Sequence, residues 1–166
     1  YFTMPYGILD LDSLQFRFVS AGHHPIVHVP RAGMPYLVEG GGTPIGWVED
    51  MEYDEYVVKL QAGDRLYLYS DGVPEAMDDE LNQFTMNQML EIMELGQSQS
   101  LDDSVSLLLK SVERWCAQNG PLDDAVVSQS VVNNQVTGTH QMSDGRFIGG
   151  MSAHHQDRGV NANPIR

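Results

Sequence analysis

The chain has 166 residues, the size of one ordinary domain, and its 42% hydrophobic and 19% charged residues suit a buried core rather than a disordered coil. Nine Lys and Arg against 23 Asp and Glu leave a net charge of −14, which repels phosphate backbones and anionic lipid, so no nucleic acid and no membrane is expected as a partner. The single cysteine, Cys116, excludes an internal disulfide framework and a zinc site built on several thiolates, and no apolar run approaches a bilayer span; the expectation is a soluble, cytoplasmic protein.

The first two thirds read as short strands. Tyr6 to Leu11 and Gln15 to Ser20 flank a turn at Asp12-Ser13, with Phe16 and Phe18 on one face and Arg17 and Val19 on the other. Ile26 to Val29 and Pro35 to Val38 bracket a second turn through Arg31-Ala32-Gly33. Tyr53 to Leu60 and Arg65 to Tyr69 follow, joined by Gln61-Ala62-Gly63-Asp64. In the second of these, Leu66 and Leu68 alternate with Arg65, Tyr67 and Tyr69, which predicts a half-buried strand.

The period then switches from 2 to 3.6. Met86, Met89, Leu90 and Met93 share one helical face, Thr85 and Gln88 are spaced as a capping box, and Gly96 is a stop. A second helix is predicted from Leu101 to Ala117, with the stripe Leu101, Val105, Leu108, Val112 and Cys116 and with Ser100 and Asp103 as another box; Asn119-Gly120-Pro121 would end it. A last strand, Ala125 to Val132, follows Asp123-Asp124. Strands first and helices later argue for an α+β fold, an antiparallel sheet covered by helices. Residues 133–166 show neither period and are rich in Gly, His, Asn and Gln, so the expected organisation is a domain over 1–132 and a flexible or unrelated tail over 133–166.

Two acidic loops can carry chemistry. Asp71 follows a strand and precedes Gly72, where the chain turns sharply; a carboxylate so placed can hold Mg²⁺ or Mn²⁺, although Asp-Gly is also a common turn. Asp123 and Asp124 precede the last strand and can either ligate a metal or cap exposed backbone N–H groups. If the two strands pair antiparallel, Asp71 and Asp123 come to the same sheet edge. His23-His24, adjacent in sequence, chelate one ion poorly and read as a turn with hydrogen-bonding imidazoles. Gly40-Gly41-Gly42 lacks the Lys and Ser/Thr of a phosphate loop and reads as a mobile turn.

Several motifs occur in the order seen in bacterial SpoIIE/RsbU-like phosphatases, the PPM-type relatives of protein phosphatase 2C. They are Phe2-Thr3 with Tyr6-Gly7-Ile8-Leu9-Asp10, then Ala21-Gly22-His23-His24-Pro25, then Gly40-Gly41-Gly42-Thr43-Pro44-Ile45-Gly46. The run from Gly63-Asp64-Arg65 through Tyr69-Ser70-Asp71-Gly72-Val73-Pro74-Glu75-Ala76 resembles the family's strand-plus-metal-aspartate motif, and Asp123-Asp124-Ala125 its last metal motif. The resemblance covers about Tyr1 to Val127.

It implies an α-β-β-α sandwich of antiparallel sheets flanked by helices, and hydrolysis of phosphoserine or phosphothreonine by water activated on two Mn²⁺ or Mg²⁺ ions, with no protein nucleophile. Asp71 and Asp123 are the implied metal ligands, with Asp124 in reserve and the Gly72 backbone beside the metal. The implied partner is a phosphorylated protein in bacterial partner-switching or stress signalling, such as an anti-sigma-factor antagonist. An earlier Asp-Gly metal motif and its helices are expected before Tyr1 and are not in the sequence, so the chain is expected to be a C-terminal portion of the domain. Alone it is expected to bind metal weakly, to turn over little, and to self-associate, as a homodimer in the simplest case. The alternative is a non-catalytic, phosphatase-like interaction module.

Overall fold

The computed structural model describes residues 1–116, 126–131, 137–141 and 151–154. Strands β1 (Met4–Asp10), β2 (Gln15–Ala21), β3 (Ile26–Val29), β4 (Tyr36–Val38), β5 (Tyr56–Lys59) and β6 (Arg65–Tyr69) precede helices α1 (Met86–Leu95) and α2 (Leu101–Trp115). Strands β7 (Val126–Val131), β8 (Thr137–Gln141) and β9 (Met151–His154) follow. No helix among the described residues is long and apolar enough to cross a membrane.

Two sheets form. One has the order β5-β2-β1-β9 and the other β4-β3-β6-β7-β8. Every pairing is antiparallel except β1 with β9, which is parallel. Hairpin β1–β2 is closed by Asp10, whose Oδ1 accepts the N–H groups of Asp12 (2.9 Å) and Ser13 (3.0 Å). Its alternation is as expected: Phe16 and Phe18 are buried while Arg17 is exposed.

The inner faces of the sheets share one core, Leu9, Phe16, Phe18, Ile26, Val58, Leu60 and Leu66. The other face of the second sheet packs Val27, Val29, Tyr67 and Tyr69 against Met89 and Met93 of α1 and Val105, Leu108 and Val112 of α2. The layers are therefore sheet, sheet and helices. The half-buried reading of Arg65–Tyr69 is corrected by this arrangement. Leu66 faces the first sheet and Tyr67 and Tyr69 face the helices, all at most 2% exposed, so β6 is a central strand covered on both sides.

Local signals explain the helices. Thr85 caps α1 by a reciprocal box with Gln88, and Ser100 Oγ accepts the Asp103 N–H at 3.1 Å. Arg65 satisfies open carbonyls beyond α1, donating to Gly96 O (3.3 Å) and Gln99 O (2.6 Å). Tyr67 Oη and Ser104 Oγ, 2.9 Å apart, tie β6 to α2. Helix α2 closes on Cys116; the Asn119-Gly120-Pro121 stop lies outside the described residues. Strand β5 is shorter than the predicted Tyr53–Leu60 because Tyr53 leaves the strand direction and donates its hydroxyl to Thr43 O (3.0 Å). Strands β8 and β9 lie within 133–166, where the sequence has no period, because β-pairing uses backbone groups that side-chain pattern does not report.

Candidate metal site at the end of strand β6

The starts of β3 and β7 both lie at the C-terminal end of β6. Strand β3 runs antiparallel to it with Val27 opposite Tyr67, so the turn before β3, which carries His23 and His24, lies beside the turn after β6, which carries Asp71. The same end of the sheet receives the start of β7, because Tyr69 pairs with Val127. The antiparallel pairing on which the two acidic loops depended is thus present. Asp123 and Asp124 themselves lie outside the described residues.

Asp71 is exposed, in a turn held by Val73 N–H donating to Ser70 O (3.2 Å) and Glu75 N–H donating to Asp71 O (2.9 Å). Val73 and Ala76 anchor this turn in the helix-side core, each at 0% exposure. The backbone is therefore fixed while the carboxylate remains outside. Among the described residues the carboxylate has no hydrogen-bond or ion-pair partner. Gly72 supplies the adjacent backbone, half-buried.

The histidine turn is more ordered than a surface loop. His23 Nδ1 meets the His24 carbonyl oxygen at 3.0 Å; a carbonyl only accepts, so in neutral His23 the proton sits on Nδ1. Burial pushes the His23 pKa below its usual value, and the nearby Asp71 carboxylate acts in the opposite direction. His24 stacks on Tyr69 with ring centroids 5.9 Å apart. The His23 imidazole thus hydrogen-bonds as expected, whereas the His24 ring is held by stacking.

The triple-glycine segment is a packing device. Gly22 N–H donates to Gly42 O (2.9 Å), and a Cβ on Gly42 would collide with the Ser20 carbonyl oxygen. Gly22 has φ +66°, and a Cβ there would meet Pro44 Cγ at 2.6 Å. Residues 40–46 are thereby pressed onto the turn that bears His23.

The donor chemistry at Asp71 fits a hard divalent cation, which takes carboxylate oxygen and retains much of its water. Among the described residues no group of three or more His, Cys, Asp or Glu gathers to hold an ion.

The opposite end of β6 holds a polar cluster that the sequence reading did not single out. His28 Nε2 and Asp64 Oδ2 are 2.9 Å apart, both residues being buried, and His28 Nδ1 lies 2.5 Å from Tyr36 Oη. Asp64 Oδ1 accepts Arg31 N–H and its Oδ2 accepts Gln61 N–H, each at 2.8 Å. Burial favours a higher Asp64 pKa, but these donors outweigh it and hold the carboxyl below its usual value. The signal was His28 itself, a polar residue at an inward position of an apolar strand.

Comparison with known proteins agrees with the fold. Phosphoserine phosphatase RsbU of Bacillus subtilis is 34% identical over 76 residues, 45% of this chain and 23% of RsbU. The phosphatase domain of the cell fate determinant SpoIIE from Bacillus subtilis, from Mn-presoaked material, aligns over 81% of this chain and 58% of its own, with TM-score 0.63 and 20% identity. The SiaA-PP2C domain of Pseudomonas aeruginosa aligns over 70% of this chain and 45% of its own, with TM-score 0.57 and 18% identity. The chain thus spans about a quarter of RsbU and somewhat over half of the SpoIIE phosphatase domain. The sequence profile of Stage II sporulation protein E (SpoIIE) matches residues 1–129, and the chain belongs to this family of SpoIIE/RsbU-like, PPM-type phosphatase domains.

Proposed function

We propose that this chain forms part of a metal-dependent phosphatase that hydrolyses phosphoserine or phosphothreonine on a bacterial signalling protein. Residues 1–132 form the phosphatase portion, Asp71, Asp123 and Asp124 are the metal ligands, and Gly72 lets the backbone turn beside them. The substrate is a phosphorylated regulator of the anti-sigma-factor-antagonist type. The observation that supports the reading is the β6–β7 register, Tyr69 opposite Val127, which brings the start of β7 to the strand end that precedes Asp71.

Bound Mn²⁺ or Mg²⁺ would supply Lewis acidity, lowering the pKa of a coordinated water and offsetting phosphoryl charge. The chain's own residues prepare the place. Asp71 offers ionised oxygen from a turn pinned by Val73 and Ala76, so it needs no rearrangement to act as a ligand. His23 keeps its Nδ1 proton on the His24 carbonyl, which fixes the imidazole beside Asp71. With no cation present, the surplus of carboxylates would repel a phosphate ester, so turnover should depend wholly on added metal.

The test is turnover of a phosphoserine protein by the native gene product with Mn²⁺ or Mg²⁺, and after chelation. Asp71→Asn should lower kcat/KM by about 100-fold or more. Undiminished turnover in Asp71→Asn would refute the assignment. Absence of turnover in the wild type, with partner binding retained, would favour the non-catalytic interaction module.

A further inference from the structure

The β4–β5 connection, residues 39–55, holds six acidic residues and no basic one. Within it Trp47, Val48 and Met51 are 61%, 54% and 40% exposed. Their exposure is not that of a loose loop. Ile45 exchanges both backbone hydrogen bonds with Phe2 (2.9 and 3.1 Å), Trp47 N–H donates to Pro44 O (3.3 Å), and Tyr56 Oη accepts Gly41 N–H (3.1 Å). Tyr1 meets the Trp47 ring edge-on at 5.4 Å between centroids. Exposed Trp47, on a backbone held at Ile45 and at its own N–H, thus stands with exposed Val48 and Met51 among Glu49, Asp50 and Glu52 as an apolar patch inside an acidic loop.

We propose that this loop docks a basic, amphipathic segment of a protein, its apolar residues on Trp47, Val48 and Met51 and its Lys or Arg side chains toward Glu49, Asp50 and Glu52. Charge complementarity selects this occupant. A second copy of the chain would bring a net charge of −14 against the same acidic loop, and anionic lipid would be repelled. The loop is also joined to the turn bearing His23 through the Gly22–Gly42 hydrogen bond. That the segment belongs to the substrate rests on the phosphatase reading above; the docking itself does not.

The experiment uses the native gene product and a fluorescein-labelled synthetic helix of alternating Lys and Leu faces, with a Glu/Leu helix of the same length as control. Binding is followed by anisotropy and, in parallel, p-nitrophenyl phosphate turnover with Mn²⁺ is measured. The Lys/Leu helix should bind and the Glu/Leu helix should not. Trp47→Ala should weaken binding about tenfold, and the triple variant Glu49→Gln, Asp50→Asn, Glu52→Gln should weaken it and flatten its salt dependence. Turnover of the small ester should be unchanged in all these variants. Equal binding of the two helices, or binding indifferent to Trp47→Ala, would overturn the docking surface whatever the turnover. Absent turnover with intact binding would instead count against the phosphatase reading. Acrylamide quenching of wild type against Trp47→Phe gives a further check: the emission lost in Trp47→Phe should be open to quencher before peptide is added, and a shielded component would overturn the docking surface by showing that another part of the protein covers it.

Discussion

Two aspartates bracket β6, and the structure treats them in opposite ways. Asp64, before the strand, is 4% exposed, and its oxygens meet the Arg31 and Gln61 N–H groups and His28 Nε2. Asp71, after the strand, is exposed and has no side-chain partner among the described residues. The first carboxylate spends its charge on holding the β3–β4 and β5–β6 turns together. The second keeps its charge available on a backbone that is equally fixed. One strand thus carries a bonded, buried carboxylate at one end and an exposed one without a side-chain partner among the described residues at the other, and partners, not residue type, tell them apart.

The largest expected effect on stability separates the two ends. Asp64→Ala strands buried His28 and two part-buried backbone donors, and should lower the unfolding free energy by about 2 to 3 kcal/mol, read from urea denaturation. Asp71→Asn should leave stability within about 0.5 kcal/mol of wild type. Comparable losses at the two positions would erase the distinction.

Acid offers a second way to separate them. The folded Asp64 pKa is depressed, so its contribution is present above the unfolded carboxylate value, about 4, and is lost as pH falls through the folded value. The stability gap between wild type and Asp64→Asn should therefore be constant from pH 7 to about 5 and shrink below about 4. A gap that widens on acidification would contradict the hydrogen-bond assignment.

A smaller effect sharpens the picture at the Asp71 end. Gly42→Ala drives a methyl group into the Ser20 carbonyl and should cost about 1 to 3 kcal/mol, with a loss of turnover beyond what that cost explains, since residues 40–46 press on the His23 turn. A fully active, equally stable Gly42→Ala would show that this packing does not support the site.

The elements legible in the sequence are those fixed by near neighbours. Ile26–Val29 and Arg65–Tyr69 have the predicted bounds, and the Thr85–Gln88 box forms because its partners are three residues apart. Burial of β6 on both faces was not legible, because the covering groups, Phe16 on one side and Leu108 on the other, are about 40 or more residues away in sequence. The His28–Asp64 pair spans 36 positions, so although His28 stands out on its apolar strand, nothing local names its partner. The strand end and turn that carry Asp71 were legible from the pattern around them. The nearness of Asp71 to His23 follows only from the β3–β6 register, a tertiary fact.

Asp71, and not Asp64, is the carboxylate proposed to serve a divalent ion. The most direct measurement is the urea midpoint of the native gene product with and without Mn²⁺, for wild type, Asp64→Asn and Asp71→Asn. A ligand that binds only the folded state raises the midpoint by mass action. The account predicts a Mn²⁺-dependent rise in wild type and in the less stable Asp64→Asn, and little or none in Asp71→Asn. The same rise in Asp71→Asn as in wild type would contradict it.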